Sequence, residues 1–443
     1  MSWGNLTGSK KDGGLVFRDL RSFNLAMVAK IGWHLLSNPH SLVSRIYKAR
    51  YFPHSPFFDV DIGTNPSFVW RSIWQARELL TLGCRWSIGD GKNIPVMGES
   101  WIRGLNEGLV RGPQQQGVYG MTISELMSPL GKCWNVHAIK LLFDCGVVKD
   151  ILQTPLVEDV VEDKLIWKEE KDGCYSVRSG YILWRKTRGT PDSNRVDGDW
   201  CSLWNIKAPP RVKHLIWRIC RDVLPTRSLS NIIDSRIINF HDDVASVLLD
   251  ICSSEDSMLA GRVAEWFVAQ DIGSRDHVHP YQLTWRPPLE GRLKCNVDAG
   301  FNINRGTTNR GWCIRDHMGN FISAGTAWDF GSFPILEAEA LALKEAIRSA
   351  IDLHLEYVIF ESDSQNTIHA ICSDVNGFSE FSSIISSIRS LLDNFPNFEV
   401  KFVKRQANSV AHALAKAADS WTRRSFFNMV PPCIDHLLIN DMS

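Results

Sequence analysis

A chain of 443 residues with 44% hydrophobic and 22% charged side chains has the balance of a soluble globular protein, long enough for two or three domains with sizeable cores. Its 49 Lys and Arg cancel its 49 Asp and Glu, which excludes a global basic field, so any nucleic-acid binding must come from local clusters. The 11 cysteines are an odd number without a Cys-x-x-Cys pair, a pattern of free thiols in a reducing compartment rather than a disulfide framework. The start (MSWGNLTGSKKDGG) lacks an apolar signal region, and no run approaches the roughly 18 apolar residues of a membrane span. The expectation is therefore an intracellular protein, in nucleus or cytoplasm, with no membrane partner.

Residues 1–105 read as mainly helical. The run Phe23 to Leu36 has helical periodicity, and VWRSIWQARELL repeats it with Trp70 and Trp74 four apart, a spacing that serves core packing. The stretch CRWSIGDGKNIPVMGESWIRG reads as a β-hairpin turning at Gly-Asp-Gly. Residues 106–165, with Gly112-Pro113 and Gln114 to Gln116, read as a loosely ordered connection.

From Asp172 the pattern firms up, through DGCYSVRSGYILWRK to a basic amphipathic helix over Val212 to Leu224. Arg211, Lys213, Arg218 and Arg221 could touch phosphates there, although a solvated charged face explains them as well. Beyond it only His241 and Cys252 are available, too few for a tetrahedral structural zinc site. No zinc is expected, and His214, Cys220, His241 and Cys252 read as ordinary core or surface residues. Residues 253–290 hold one short amphipathic helix and a polar linker, in which His277 and His279 read as solvated side chains. Trp285-Arg-Pro-Pro-Leu is an extended lead-in to the last domain.

That domain, residues 291–422, with a tail at 423–443, carries the chemistry. The alternating segment LKCNVDAG ends in Asp298, and the buried strand YVIFESDSQ ends in Asp363. Between them, Leu336, Glu339, Leu343, Ala346 and Ala350 share one face of a helix, which puts Glu339 on the buried side, while Glu337, Glu345 and Arg348 fall where water reaches. An isolated buried carboxylate is costly and needs a cation or a donor set. Three acids from three elements, each where the local pattern would prefer an apolar residue, point to a divalent-metal site. The ends of parallel strands are where open α/β sheets build such sites.

These residues resemble the type 1 ribonuclease H domain of plant non-LTR retrotransposon polyproteins, of the reverse-transcriptase-like family. The order fits: strand 292–299, a hairpin turning at His317 to Asn320, helix 335–351, strand 356–362, helices near 364–373 and 379–392, strand 398–403 and helix 408–418. The motifs GGLVFRDL, KARYFP, WRSIW and RWSIGDGKNI are similar to the stretch that follows the polymerase domain in those polyproteins, and residues 166–252 are similar to their zinc-binding domain, truncated. The polymerase's paired-Asp motif is absent from this sequence, so no DNA synthesis is expected. The resemblance implies an α/β (α+β) fold with a mixed five-stranded sheet flanked by helices, and Mg²⁺, or Mn²⁺, held by Asp298, Glu339 and Asp363. It implies hydrolysis of the RNA strand of an RNA/DNA hybrid, or of RNA, by two ions about 4 Å apart. Contacts to the nucleic acid would come from Asn304, Arg305, Arg310, Ser364, Gln365, Lys404 and Arg405.

One position departs from the family. Aligning its last helix with Asn408 to Ala415 puts His412 where a fourth acid belongs, and Lys404-Arg405-Gln406 leaves no place for a mobile-loop histidine. A chain with this substitution reads either as a metal-dependent nuclease with His412 completing the catalytic set, or as a retroelement-derived relic that binds nucleic acid or protein without cutting. Neither protein partners nor the oligomeric state can be read from it.

Overall fold

The computed structural model describes residues 6–8, 10, 14–103, 108–110, 112, 114–188, 200–205, 213–214, 217–218, 284–373 and 377–442. The chain divides into two compact units, one of residues 1–25 with 184–279, the other of residues 26–183 with 280–443. His241, Cys252, His277, His279 and most of the basic helix expected at Val212 to Leu224 lie outside the described residues.

The larger unit begins within α1 (Leu20–Ser37), followed by α2 (Leu42–Tyr51) and α3 (Phe68–Gly83). Ser41 and Ser67 cap the latter two by accepting from the backbone N–H groups of Ser44 and Trp70. Trp70 is fully buried and stacks on Tyr51 at 4.6 Å, so the tryptophan spacing does serve packing. Strand β1 (Cys84–Ser87) meets the residues that follow it through the Trp86 backbone N–H, which donates to the Ser100 carbonyl at 2.7 Å, but its ladder partner is not among them. It pairs antiparallel with β2 (Lys164–Trp167), almost eighty residues on. The reason is Asp163: its carboxylate accepts the backbone N–H groups of Gly89, Gly91 and Asn93 at 2.8, 2.9 and 3.0 Å, wrapping the Gly-Asp-Gly loop around itself.

The described residues from 114 to 165 are likewise more ordered than their composition suggests. They form α4 (Ile123–Leu126), α5 (Val136–Leu142) and α6 (Cys145–Gln153), which enclose a core of Ile94, Trp101, Ile123, Leu126, Ile139 and Ile151. Helix α7 (Val177–Arg188) follows β2. In the smaller unit, α8 (Trp200–Asn205) brings Trp200 against Trp217, with Leu6, Leu15 and Trp204 around them.

The C-terminal part is built on β3 (Leu293–Asn302), β4 (Thr307–Arg315) and β5 (Phe321–Phe330), an antiparallel meander. Asp316 sets the second turn by accepting from the Met318 and Asn320 N–H groups, with Gly319 at φ 84°. Helix α9 (Ile335–Asp352) crosses to β6 (Val358–Ser362), which lies parallel to β3. Then come α10 (Gln365–Cys372), α11 (Glu380–Asn394), β7 (Glu399–Phe402) and α12 (Ser409–Ala417). Beyond the expected end at residue 422, β8 (Arg424–Phe427) pairs with β5 and α13 (Asp435–Met442) follows. The sheet therefore has six strands, in the order β7-β6-β3-β4-β5-β8, rather than five.

Small residues set the spacing of the layers. Ala338, Ala342, Ala346 and Ala350 of α9 are fully buried against the sheet. On α12, Ala415 comes so close to Gly311 that a Cβ there would lie 2.3 Å from its backbone nitrogen.

Strand β1 and the loops at Arg103 and Asp159 share ion pairs with this domain. Arg103 contacts Glu337 at 2.6 Å and Glu380 at 2.7 Å, Arg85 holds Glu380 through both guanidinium nitrogens at 3.0 and 3.1 Å, and Lys344 pairs with Asp159. Glu337, expected in water, is thus only 6% exposed, because Arg103 covers it.

Candidate metal centre

Two strands and one helix bring the three acids together. The parallel register pairs Val297 with Ser362, so Asp298, the next residue of β3, and Asp363, the first residue past the end of β6, sit side by side. Asp298 is inside β3 rather than at its end, and opposes Gly311 of β4. Glu339, one turn into α9, reaches the same point, and one carboxylate oxygen from each residue lies within 4.8 Å of the others. Asp298 and Glu339 are buried and Asp363 is half-buried.

Like charges this close in a low-dielectric setting raise each other's proton affinity. Burial, with the Asp298 and Asp363 carboxylates beside it, pushes the Glu339 carboxyl up to about 9. Burial and Asp363 likewise lift Asp298 to about 6, against the pull of His412 and the Ala299 backbone N–H. Glu339 also has a buried oxygen, Oε2, without any hydrogen-bond partner. An orphaned carboxylate oxygen facing two further acids is a set of hard ligands that a divalent cation would satisfy, and the residues fit such an ion.

His412 occupies the fourth corner. Its Nδ1 is 2.7 Å from Asp298 Oδ2, and its Nε2 is 3.4 Å from an Arg405 guanidinium nitrogen. Asn408, one turn before it, is buried and donates to the Val297 carbonyl at 2.9 Å, which fixes the start of α12 against β3.

The remaining expected contacts are distributed unevenly. Arg405 is exposed beside His412, and Ser364 and exposed Gln365 open α10 directly after Asp363. Lys404 is half-buried at the start of the same turn as Arg405. Asn304 and Arg305 are exposed on the β3–β4 turn, where Arg305 donates to the Asp419 carbonyl at 2.8 Å. Arg310 is not a surface contact. It is 4% exposed, pairs with Asp329 and has Glu345 at 4.0 Å, because the pleat turns it towards α9 on the opposite side of the sheet from Gly311. Sequence reasoning missed Arg85 and Arg103, since an isolated arginine after an apolar run gives no sign of partners more than two hundred residues away.

The sheet order, the flanking helices and the three-acid cluster define a ribonuclease H-like domain. Residues 296–418 match the family model described as reverse transcriptase-like. The chain is 47% identical over 103 residues to an uncharacterized mitochondrial protein of Arabidopsis thaliana, covering 23% of this chain and 67% of that one. It is 22% identical over 531 aligned positions to a protein of the same plant named “Putative ribonuclease H protein”, covering 100% of this chain and 84% of that one. Solved structures similar to it include ribonuclease H1 of the archaeon Halobacterium salinarum, at 26% identity and TM-score 0.27 over 29% of this chain and 98% of that one. Another is a ribonuclease H1 from a compost metagenome, in complex with an RNA/DNA hybrid, at 21% identity and TM-score 0.26 over 29% and 98%. Residues 296–418 are thus a reverse transcriptase-like domain. Among the described residues no helix is long and apolar enough to cross a membrane.

Proposed function

We propose that this chain is a divalent-metal-dependent nuclease that hydrolyses the RNA strand of RNA/DNA hybrids, with Asp298, Glu339 and Asp363 as the metal ligands. The observation that carries this reading is the meeting of three carboxylates within 4.8 Å, one of them with an orphaned buried oxygen. Mg²⁺ bound there would lower the pKa of a coordinated water and neutralise charge on the departing oxygen. The chain's own residues do the rest. Asp298 within β3 and Asp363 directly after the end of the neighbouring β6 present their oxygens side by side, while Glu339 approaches from α9. Arg405 lies exposed beside the cluster, where its guanidinium can take a backbone phosphate and set the register of a duplex. Ser364 and Gln365, at the start of α10, are placed to meet a 2′-hydroxyl. The ribonuclease H name of the relative that aligns along the whole chain supports the same assignment.

A second reading rests on His412. Its hydrogen bond takes up an oxygen of Asp298 that a metal would use, which favours a domain that binds nucleic acid with weakened or lost cleavage. Cleavage of a labelled RNA/DNA hybrid, in Mg²⁺ and then in Mn²⁺, separates the two. RNA-strand products that vanish in Asp363→Asn favour the nuclease. Retained hybrid binding without products in either metal removes it.

We further propose that residues 1–105 correspond to the segment following a reverse-transcriptase polymerase domain and that 166–252 are a truncated zinc-binding module. Zinc analysis of the purified chain tests the second part, since a stoichiometric ion would contradict it.

A further inference from the structure

A cavity of about 830 Å³ opens between the segment 132–159 and the sheet, on the α9 side, away from the three-acid cluster. Its wall holds eight lysines and arginines against four acids, in a chain whose net charge is zero. Most of those acids are already engaged: Asp329 with Arg310 and Arg423, Glu345 with Arg424 at 3.3 Å, and Asp159 with Lys344. Lys149 and Arg348 are exposed at the rim. Deeper in, burial and the neighbouring Arg424 and Arg423 bring Arg310 down to about 10, and its buried Nε has no hydrogen-bond partner. Such a concentration of guanidinium groups in a concave site favours an anion.

The wall is also apolar in a specific way. Phe330 is 68% exposed at the cavity, and Trp134, Leu152 and Phe333 line it nearby. An exposed aromatic beside surplus cations is the pairing that holds a base by stacking and a phosphate by charge. The volume falls within the range of small-ligand sites, roughly 300–1,000 Å³.

We propose that this cavity binds a nucleoside phosphate, with its phosphates on the cations around Arg348 and Lys149 and its base against Phe330. The site is distinct from the three-acid cluster and needs no divalent ion.

The test is binding of ATP to the full chain in EDTA, read by thermal shift and by calorimetry, beside adenosine and inorganic phosphate at equal concentration. ATP should bind and stabilise the chain. Adenosine and inorganic phosphate should each bind on the order of tenfold more weakly or worse. The double variant Lys149→Glu with Arg348→Glu changes only exposed side chains, so it should fold normally and lose ATP binding by about tenfold or more. Phe330→Ala should weaken ATP while leaving inorganic phosphate unchanged. Failure of ATP to bind the folded wild-type chain overturns the proposal, as does ATP binding that survives the double reversal. Inorganic phosphate binding as tightly as ATP overturns the nucleoside assignment, and so does a single-stranded RNA that binds there when ATP does not.

Discussion

His412 Nδ1 lies 2.7 Å from Asp298 Oδ2, so the imidazole is bonded to the acid that shares its site with Glu339 and Asp363. An acid at position 412 would add a fourth hard ligand where the imidazole now competes for an oxygen. His412→Asp should therefore raise Mg²⁺-dependent cleavage by about tenfold, the lower end of what metal-site neighbours contribute. Hybrid cleavage rates measured against Mg²⁺ concentration check this, and an unchanged or lower rate would count against the role given to this position.

The crowding of carboxylates predicts a trade between stability and metal binding. Without a cation, the Glu339 carboxyl, pushed up to about 9, must take up a proton on folding at pH 8, so Glu339→Gln removes that cost and should stabilise the chain by about 1 kcal/mol in EDTA. The same change should abolish the stabilisation that Mg²⁺ gives the wild type. Paired melting curves in EDTA and in Mg²⁺ read both effects. A variant that is both less stable and still responsive to Mg²⁺ is the outcome that speaks against the cluster.

Glu380 gives a pH dependence. Arg85 and Arg103 outweigh its burial and hold its carboxyl far below the usual carboxylate range. A depressed folded-state pKa means stability that is present above the unfolded value, near 4.5, and is lost as the pH falls towards the folded one. Wild-type stability should thus decline on acidification from pH 5 downward, and Glu380→Gln should flatten that decline. Denaturant melts at a series of pH values measure it, and parallel curves would show that Glu380 carries none of the acid sensitivity.

Arg103 is the other half of that cluster. Removing it leaves Glu337 and Glu380 with only Arg85 near them, so Arg103→Ala should cost about 3–5 kcal/mol. Replacing the charged set by apolar residues of similar volume should cost much less. Urea unfolding of the single and combined variants distinguishes a needed counter-charge from mere packing.

Truncation after residue 422 removes β8 and α13, and with them the burial of Ile434 and Leu438 against Val410 and Leu414. It also takes away Asp441, the acid paired at 2.8 Å with Arg315, which is 1% exposed. The shortened chain should lose on the order of 3 kcal/mol or more, enough to be visible as lowered expression and melting temperature.

Much of the domain was legible because its signals are local. Alternation in LKCNVDAG, the stripe from Leu336 to Ala350 and the turn chemistry at Asp316 each act within one element, and the structure places them within a few residues of the expectation. The acids stood out for the same reason: a carboxylate on an apolar stripe is a contradiction visible without coordinates. What escaped depends on distance along the chain. Nothing near Cys84 announces that its strand partner is Trp167, nor that Asp163 will organise the loop between them. Arg310 looked like a phosphate ligand because sequence gives the charge of a side chain but not the depth of the sheet beneath it. The strand at Arg424 is four residues long with every second side chain half-buried, too short a pattern to distinguish from a tail.

The bridge from Arg103 to Glu337 and Glu380 bears on how such a domain can be inherited. Its own two buried acids are neutralised from a stretch encoded more than two hundred codons upstream, so a recombination that swaps only the 3′ half of the gene would deliver carboxylates without their counter-ions. Chimeras between relatives should hold together when positions 85 and 103 travel with the C-terminal half, and fail when they are left behind.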